Sequence, residues 1–307
     1  TQILTPFNQT TNSPASDMPA ADKCALHPRP SRHDTTILST PGGGAVTTLN
    51  GSRVRHLYQL FRPDLSDHTF EEEVYNLLTR LGSRSEIHSP SPATTTRNRW
   101  ATREDLLSAL HQTFHIQTEL YSDPLNKSIH SHTYHSLYPE DIVFSSSGSN
   151  APHTWQGTNI ANPEYDHECM RRAMEHAITS AHRTATHTPS ATILILPRWE
   201  HTPYRHSKYI NSPYTHHLYT LPNDANTFLP PDQHTGHPTP TPFGTRWMVD
   251  IYLVANSLAL PTLPSHTAMT ALHNTLESIY DTHLPNPTIT IPPPHLTDSY
   301  SPHSAGI

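Results

Sequence analysis

The stretch TNIANPEYDHECMRRAMEHA, residues 158–177, contains a strand signal, a sharp corner and a helix signal in direct succession. The short apolar run at its start stops at Asn162, and Pro163 prevents the strand from continuing. After Tyr165 the apolar residues recur every three or four positions, as on one face of a helix. A strand that turns directly into a helix is typical of α/β proteins, so this stretch predicts an α/β fold.

Segments on both sides of this stretch continue the alternation of strands and helices. HIQTELY alternates like a strand and is followed by Pro124, while ATILILP is a continuous apolar run, typical of a strand covered on both faces. HHLYTL and RWMVDIYLVAN bracket a proline-rich loop and predict an antiparallel pair at one edge. The sequence therefore predicts a three-layer α/β domain with a largely parallel sheet.

Local patterns predict further elements. Apolar residues at helical spacing predict a helix over residues 70–81. Thr102 with Asp105 predicts the start of a second helix, and Thr267 the cap of a last one. DIVFSSSGS, residues 141–149, predicts a short strand that runs into a turn.

Composition divides the chain into four parts. The chain has 31 prolines and only 10 glycines, and both ends are rich in polar residues and proline. We expect a flexible N-terminal segment over 1–52, a helical region over 53–114, the core over 115–284 and a proline-rich disordered tail over 285–307. Because the chain begins at Thr1, it suits a piece of a larger product.

Charge and cysteine content limit the class of protein. A net charge of -7 argues against binding of nucleic acid by bulk attraction, and no apolar run is long enough for a membrane span. With only Cys24 and Cys169, a reducing, intracellular compartment is the simplest expectation. Arginines between residues 53 and 103 form either a local basic surface or ordinary solvated positions: Arg53, Arg55, Arg62, Arg80, Arg84, Arg97, Arg99 and Arg103.

Histidine is unusually frequent, with 26 residues. The cluster of His130, His132 and His135 suggests a zinc hydrolase as one alternative. Threonine and proline are enriched together with histidine, however, which indicates a compositional bias of the gene. We therefore expect no metal site.

The corners after two predicted strands carry the functional signal. SDPLN and NPEY both follow strand ends, where ligands bind in α/β sheets. The amide of Asn162 and the carbonyl of Pro163 can accept both N–H bonds of an exocyclic amine, while the ring of Tyr165 holds the base. This chemistry suits methyl transfer to a base amine, although Asn-Pro is also an ordinary turn.

From residue 70 to about 258 the chain resembles the phosphorylated-CTD-interacting factor family, the cap-specific adenosine methyltransferases. The resemblance rests on ordered segments, among them FEEEVYNLLTRLG, YPEDIVFSSSGS, WQGTNIANPEYDHECMRRAME and ATILILPRWEHTPY. Within them, residues 157–165 are similar to the family's Gly-x-x-x-x-Asn-Pro-Pro-Phe corner. The resemblance implies a Rossmann-like, S-adenosylmethionine-dependent methyltransferase sheet with flanking helices and an N-terminal helical extension.

The resemblance also implies N6 methylation of adenine in RNA, at the cap-adjacent adenosine of mRNA, and a nuclear location. It assigns three groups of residues by position: Asn162, Pro163 and Tyr165 to catalysis; Asp123, Pro124, Leu125 and Asn126 to the cofactor; Pro197 and Trp199 to the adenine pocket.

One position departs from the family's corner. Glu164 replaces its second proline, and the carboxylate either helps to bind a sulfonium or disturbs the backbone of the corner. Two alternatives therefore stay open: an inactive homologue that binds nucleic acid or protein, and a DNA adenine methyltransferase. RNA is favoured over DNA as the partner, and no membrane is expected.

Overall fold

The structure is a computed structural model. It describes residues 35–39, 46–50, 73, 76–77, 101–124, 126–136, 138–146, 154–199, 203–223, 227–229 and 247–285, with the first two ranges described in the backbone alone. The helix predicted over residues 70–81 lies mostly outside these ranges, but Glu73, Asn76 and Leu77 are helical and Leu77 is buried. Leu125 and the tail from residue 286 also lie outside them. The predicted boundaries at residues 52, 114 and 284 stay predictions.

The strands and helices of the described ranges follow in chain order. The strands are β1 (Thr35–Ser39), β2 (Val46–Asn50), β3 (Ala101–Thr102), β4 (Thr118–Leu120), β5 (Thr133–Tyr134), β6 (Gly157–Ala161), β7 (Ser190–Arg198), β8 (Thr215–Leu221), β9 (Phe228–Leu229) and β10 (Met248–Ala255). The α-helices are α1 (Glu104–Phe114), α2 (His167–Thr184), α3 (Ser207–Ile210) and α4 (His266–Tyr280). Short 3-10 helices span Pro139–Phe144, Pro203–Arg205 and Leu260–Thr262.

The central sheet has six strands in the order β5-β4-β6-β7-β10-β8. Strands β5, β4, β6 and β7 are parallel, whereas β10 is antiparallel to both of its neighbours. The predicted α/β fold with a largely parallel sheet and an antiparallel pair at one edge is confirmed. The pairs β1–β2 and β3–β9 form separate two-stranded sheets.

Both faces of the sheet are buried, as the apolar run of β7 predicts. Ile193 and Ile195 lie in a core with Leu110 of α1 and Leu276 of α4. The alternate residues of β7 face a second core, which also contains Met174 of α2. The helices therefore cover the sheet from two sides, in three layers.

The structure corrects the prediction of a strand at residues 141–149. Asp141 to Phe144 belong to the 3-10 helix Pro139–Phe144. The side chain of Asp141 is buried and accepts a hydrogen bond from the hydroxyl of Ser136, so the segment folds back on itself instead of extending. The parallel strand lies earlier, at Thr133–Tyr134, inside the histidine-rich segment.

Two predicted helix caps are also wrong. Thr102 lies in β3, and the residue before α1 is Arg103, which makes no capping bond with its side chain. At α4 the cap is Ser265, whose hydroxyl accepts from the N–H of Ala268 at 3.2 Å, and Thr267 lies inside the helix. Within the described ranges, no helix is long and apolar enough to cross a lipid bilayer.

Candidate active site

The order of the strands defines a switch point between β4 and β6. From β4 the chain adds β5 on one side, and from β6 it adds β7 on the other. Ligands of open α/β sheets bind outside the carboxyl ends of the strands at such a point. Leu120 pairs with Ala161, so the corners that follow the two strands begin side by side.

The corner after β4 is a turn held by its own side chains. The N–H of Asp123 donates to Oδ1 of Asn126 at 2.7 Å, and the N–H of Asn126 donates to Oδ1 of Asp123 at 3.1 Å. Both side chains are half-buried, and Pro124 between them is buried. Asp123, Pro124 and Asn126 therefore lie where a ligand at the switch point would meet them. Their assignment to the cofactor stays a prediction.

The corner after β6 leads directly into α2. Asn162 and Tyr165 are half-buried, and Pro163 is buried. The hydroxyl of Tyr165 donates to Oδ1 of Asn162 at 3.2 Å. Asp166 then caps α2 by accepting from the N–H groups of Glu168 and Cys169. The amide of Asn162 is thus held at the corner and is not packed into the interior.

The ring of Tyr165 is anchored from a distant part of the chain. Its centroid lies 4.8 Å from that of Phe228, a fully buried residue of β9. Strand β9 pairs with β3 just before α1, which fixes Phe228 in place. Burial raises the pKa of Tyr165 well above its ordinary value, and the bond to Asn162 opposes the shift only in part. The hydroxyl therefore stays protonated at neutral pH.

Tyr121 is a residue of the first corner that was not predicted from the sequence. It follows β4 directly and has a left-handed backbone with φ of 60°, which is uncommon for a bulky residue. Burial raises the pKa of Tyr121, and electrostatic interactions with Cys169 and Glu164 raise it further. The phenol therefore interacts with the carboxylate of Glu164, which lies at the second corner. The strained backbone was not visible in the sequence.

Aromatic rings continue from the corner to the end of β7. His167 lies edge-on to Trp199 at 5.2 Å between centroids, and Trp199 lies edge-on to Trp247 at 5.9 Å. Trp199 was predicted to line the adenine pocket, and the structure brings it next to the start of α2. Trp247 was missed because only the pairing of Arg198 with Met248 brings the two tryptophans together.

A buried carboxylate supports this end of the sheet. Asp250 is completely buried and accepts hydrogen bonds from Nε and Nη2 of the Arg198 guanidinium and from the hydroxyl of Thr220. Burial alone would raise the pKa of Asp250, but hydrogen bonds from His217, Arg198 and Thr220, together with the charge of Arg198, outweigh it and lower the pKa. The hydroxyl of Tyr204 donates to the carbonyl of the buried Pro197 at 2.9 Å. The backbone beside Trp199 is therefore rigidly held.

The histidine cluster has other contacts. His130 lies 3.1 Å from a carboxylate oxygen of Glu104, while His132 is exposed and His135 is half-buried. Among the residues that the structure describes, no group of three or more His, Cys, Asp or Glu side chains could hold a metal ion.

The protein has a mixed α/β fold with a largely parallel six-stranded sheet, consistent with the Rossmann-like class, and the two corners lie at the switch point, where ligands of such sheets bind. The family model described as Phosphorylated CTD interacting factor 1 WW domain matches residues 53–230, and the chain belongs to this family. The match begins before β3 and ends just after β9, so it includes both corners and Trp199. No curated protein matches the chain.

Proposed function

We propose that this protein is an S-adenosylmethionine-dependent methyltransferase that modifies the N6 amine of adenine in RNA, with the cap-adjacent adenosine as its target. The observation that carries the proposal is the pairing of Leu120 with Ala161, which brings the two corners together at the switch point. Membership in the family supports the same class of reaction.

The reaction requires that the amine be made more nucleophilic and be held in line with the methyl group of the donor. The nitrogen lone pair of adenine N6 is delocalised into the ring, which makes it a poor nucleophile. Oδ1 of Asn162 and the carbonyl of Pro163 accept its two N–H bonds and direct the lone pair outward. S-adenosylmethionine supplies a methyl group on a positively charged sulfur, which departs as a neutral thioether. As the carbon–nitrogen bond forms, the nitrogen releases one proton to solvent.

The corner after β4 fits a cationic donor with hydroxyl and amine groups. The carboxylate of Asp123 and the amide of Asn126 are fixed by their mutual hydrogen bonds and supply acceptors. Glu164 adds a second carboxylate, which interacts electrostatically with the phenol of Tyr121. Carboxylates and aromatic rings both attract a cation, so this set of side chains suits a sulfonium.

The tryptophans suit the nucleic-acid substrate. Trp199 and Trp247 are half-buried and contact each other at the end of β7. Aromatic side chains stack on nucleobases without regard to sequence, at about 1–3 kcal/mol per base. We assign Pro197, Trp199 and Trp247 to the base that enters beside Asn162.

The test is transfer of a labelled methyl group from the donor to capped RNA that begins with adenosine. The purified chain should label this RNA, whereas RNA that begins with guanosine should stay unlabelled. Asn162→Ala should lower kcat about 100-fold or more, because it removes a preorganised acceptor. Transfer that Asn162→Ala leaves unchanged would contradict the mechanism, and labelling of DNA alone would favour the DNA enzyme.

A second candidate function is a binding protein without activity. The observation in its favour is Glu164, since a glutamate in place of a proline can alter the backbone of the corner and so displace the groups that the reaction needs. This candidate predicts RNA binding without donor binding. Calorimetry with S-adenosylmethionine separates the two functions, because a dissociation constant in the micromolar range or below supports the enzyme.

A further inference from the structure

We propose that Tyr165 is a positioning residue, whose hydroxyl fixes the carboxamide of Asn162 in the orientation that accepts the target amine. The inference rests on the proposed methyl transfer and adds a role for the phenol group. From the sequence, only the aromatic ring of Tyr165 has an expected role, as a surface that holds the base.

The geometry of the corner joins the two side chains directly. The hydroxyl of Tyr165 lies 3.2 Å from Oδ1 of Asn162, three residues earlier in the chain. Pro163 between them fixes one backbone dihedral. The carbonyl of Glu164 accepts from the N–H of Asp166 at 2.7 Å, and Asp166 caps α2. The backbone between the two side chains is therefore restrained on both sides.

The hydroxyl is held in place as a hydrogen-bond donor. The ring of Tyr165 packs against Phe228 at 4.8 Å, which sets the direction of the phenol from its far side. The hydroxyl remains protonated, as the raised pKa of Tyr165 indicates. It can therefore donate to Asn162 throughout the neutral pH range.

The hydrogen bond from Tyr165 still allows the carboxamide of Asn162 to accept from the substrate amine. A carboxamide oxygen has two lone pairs, so Oδ1 of Asn162 can accept from Tyr165 and from the substrate amine together. The terminal torsion of an asparagine is broad and roughly two-fold, so an untethered amide also presents its NH₂ group. An NH₂ group cannot accept from the amine, and such orientations are unproductive. The bond from Tyr165 raises the fraction of productive orientations.

Tyr165→Phe tests the inference, because it keeps the ring and its packing on Phe228 and removes only the hydroxyl. We expect kcat to fall about 3- to 10-fold, as for the loss of one neutral hydrogen bond. The KM for capped RNA, the donor dissociation constant and the thermal midpoint should stay unchanged. The matched control is Tyr219→Phe, because the Tyr219 hydroxyl is buried and has no hydrogen-bond partner among the described residues.

The outcomes separate this inference from the proposed function. Equal kcat in Tyr165→Phe and the unsubstituted chain contradicts the positioning role alone, and so does an equal fall in Tyr219→Phe. A fall of 100-fold or more with an altered pH profile also contradicts it, because that result assigns Tyr165 to proton transfer. No transfer by the unsubstituted chain contradicts the proposed function, and the inference fails with it.

Discussion

Leu120 and Ala161 are partners in neighbouring parallel strands, and each is the last residue of its strand. The chain therefore leaves the sheet at the same level in both places. Residues that are far apart in sequence, such as Asp123 and Asn162, belong to corners that start side by side. The proposed site depends on this register, since a slip of one residue would turn each side chain to the opposite face of the sheet.

Glu164→Gln should reduce the preference of the site for a charged donor. The unsubstituted chain should bind S-adenosylmethionine more tightly than its neutral product, S-adenosylhomocysteine, because the carboxylate attracts the sulfonium. We expect the ratio of the two affinities to fall about fivefold in the variant, as for a partly solvated charge pair. Calorimetry with both ligands measures it. Glu168→Gln is the control, because that carboxylate pairs with Arg171 and Arg172. If the ratio of affinities stayed the same in both variants, Glu164 would have no role in donor recognition.

Trp247→Leu should weaken binding of the RNA. The substitution keeps an apolar side chain at the end of the sheet but removes the ring that contacts Trp199. Loss of one stacking surface should raise the KM for capped RNA about tenfold and leave the donor dissociation constant unchanged. Steady-state kinetics with varied RNA measures the change. Equal losses in RNA and donor affinity would indicate general damage to the fold rather than a lost stacking surface.

Gly157→Ala should destabilise the fold. Gly157 begins β6 with φ of 67°, and an added Cβ would lie 2.7 Å from Oε1 of Gln117. The left-handed backbone costs a residue with a side chain about 1–2 kcal/mol, so the free energy of unfolding should fall by this amount. Urea denaturation measures it. Adding Gln117→Ala removes the contact but keeps the strained backbone, so full recovery in the double variant would show that the contact, and not the dihedral, is responsible.

Glu119→Gln should change how stability depends on pH. Burial raises the pKa of Glu119 from 4.5 to about 7, although hydrogen bonds from Ser128 and Ser131 oppose the shift. Between these two pH values the folded state therefore holds a proton on Glu119 that the unfolded state releases. The stabilisation from this raised pKa is fully present below pH 4.5 and is lost as the pH rises to about 7. Relative to the unsubstituted chain, the free energy of unfolding of the variant should rise by about 1–2 kcal/mol as the pH rises over this range. The effect is limited to this size because Glu119 is only half-buried.

His111→Gln provides the matched control for this pH dependence. Burial lowers the pKa of His111 from 6.5 to about 4, so its contribution is present above pH 6.5 and is lost as the pH falls to about 4. The stability of this variant relative to the unsubstituted chain should therefore decrease as the pH rises. Denaturation curves at several pH values measure both differences. If the relative stability of both variants changed in the same direction with pH, the opposite pKa shifts of Glu119 and His111 would be contradicted.

The sequence predicted the elements whose signal is long and local. Strand β7 is a continuous apolar run and α2 has a clear apolar face, so both were recognised. Strand β5 was missed because it has only two residues and lies in a polar segment at the edge of the sheet. Residues 142–144 have apolar side chains, but a local pattern could not reveal that Asp141 folds back onto Ser136.

The candidate site was predicted in outline but not in its contacts. The motifs identified the two corners, and the positions of Asn162 and Trp199 followed from them. The contact of Tyr165 with Phe228 and that of Trp199 with Trp247 depend on which strands pair. Pairing of distant strands is set by the packing of the whole sheet, and local sequence patterns carry little information about it.

The place of β10 inside the sheet has a consequence for synthesis on the ribosome. Strand β8 ends at Leu221 and meets its partner only when Met248 to Ala255 have left the exit tunnel. Until then β7 presents an open, strongly apolar edge that invites pairing with other chains. A fragment cut after residue 230, where the family match ends, would keep that edge permanently and should aggregate.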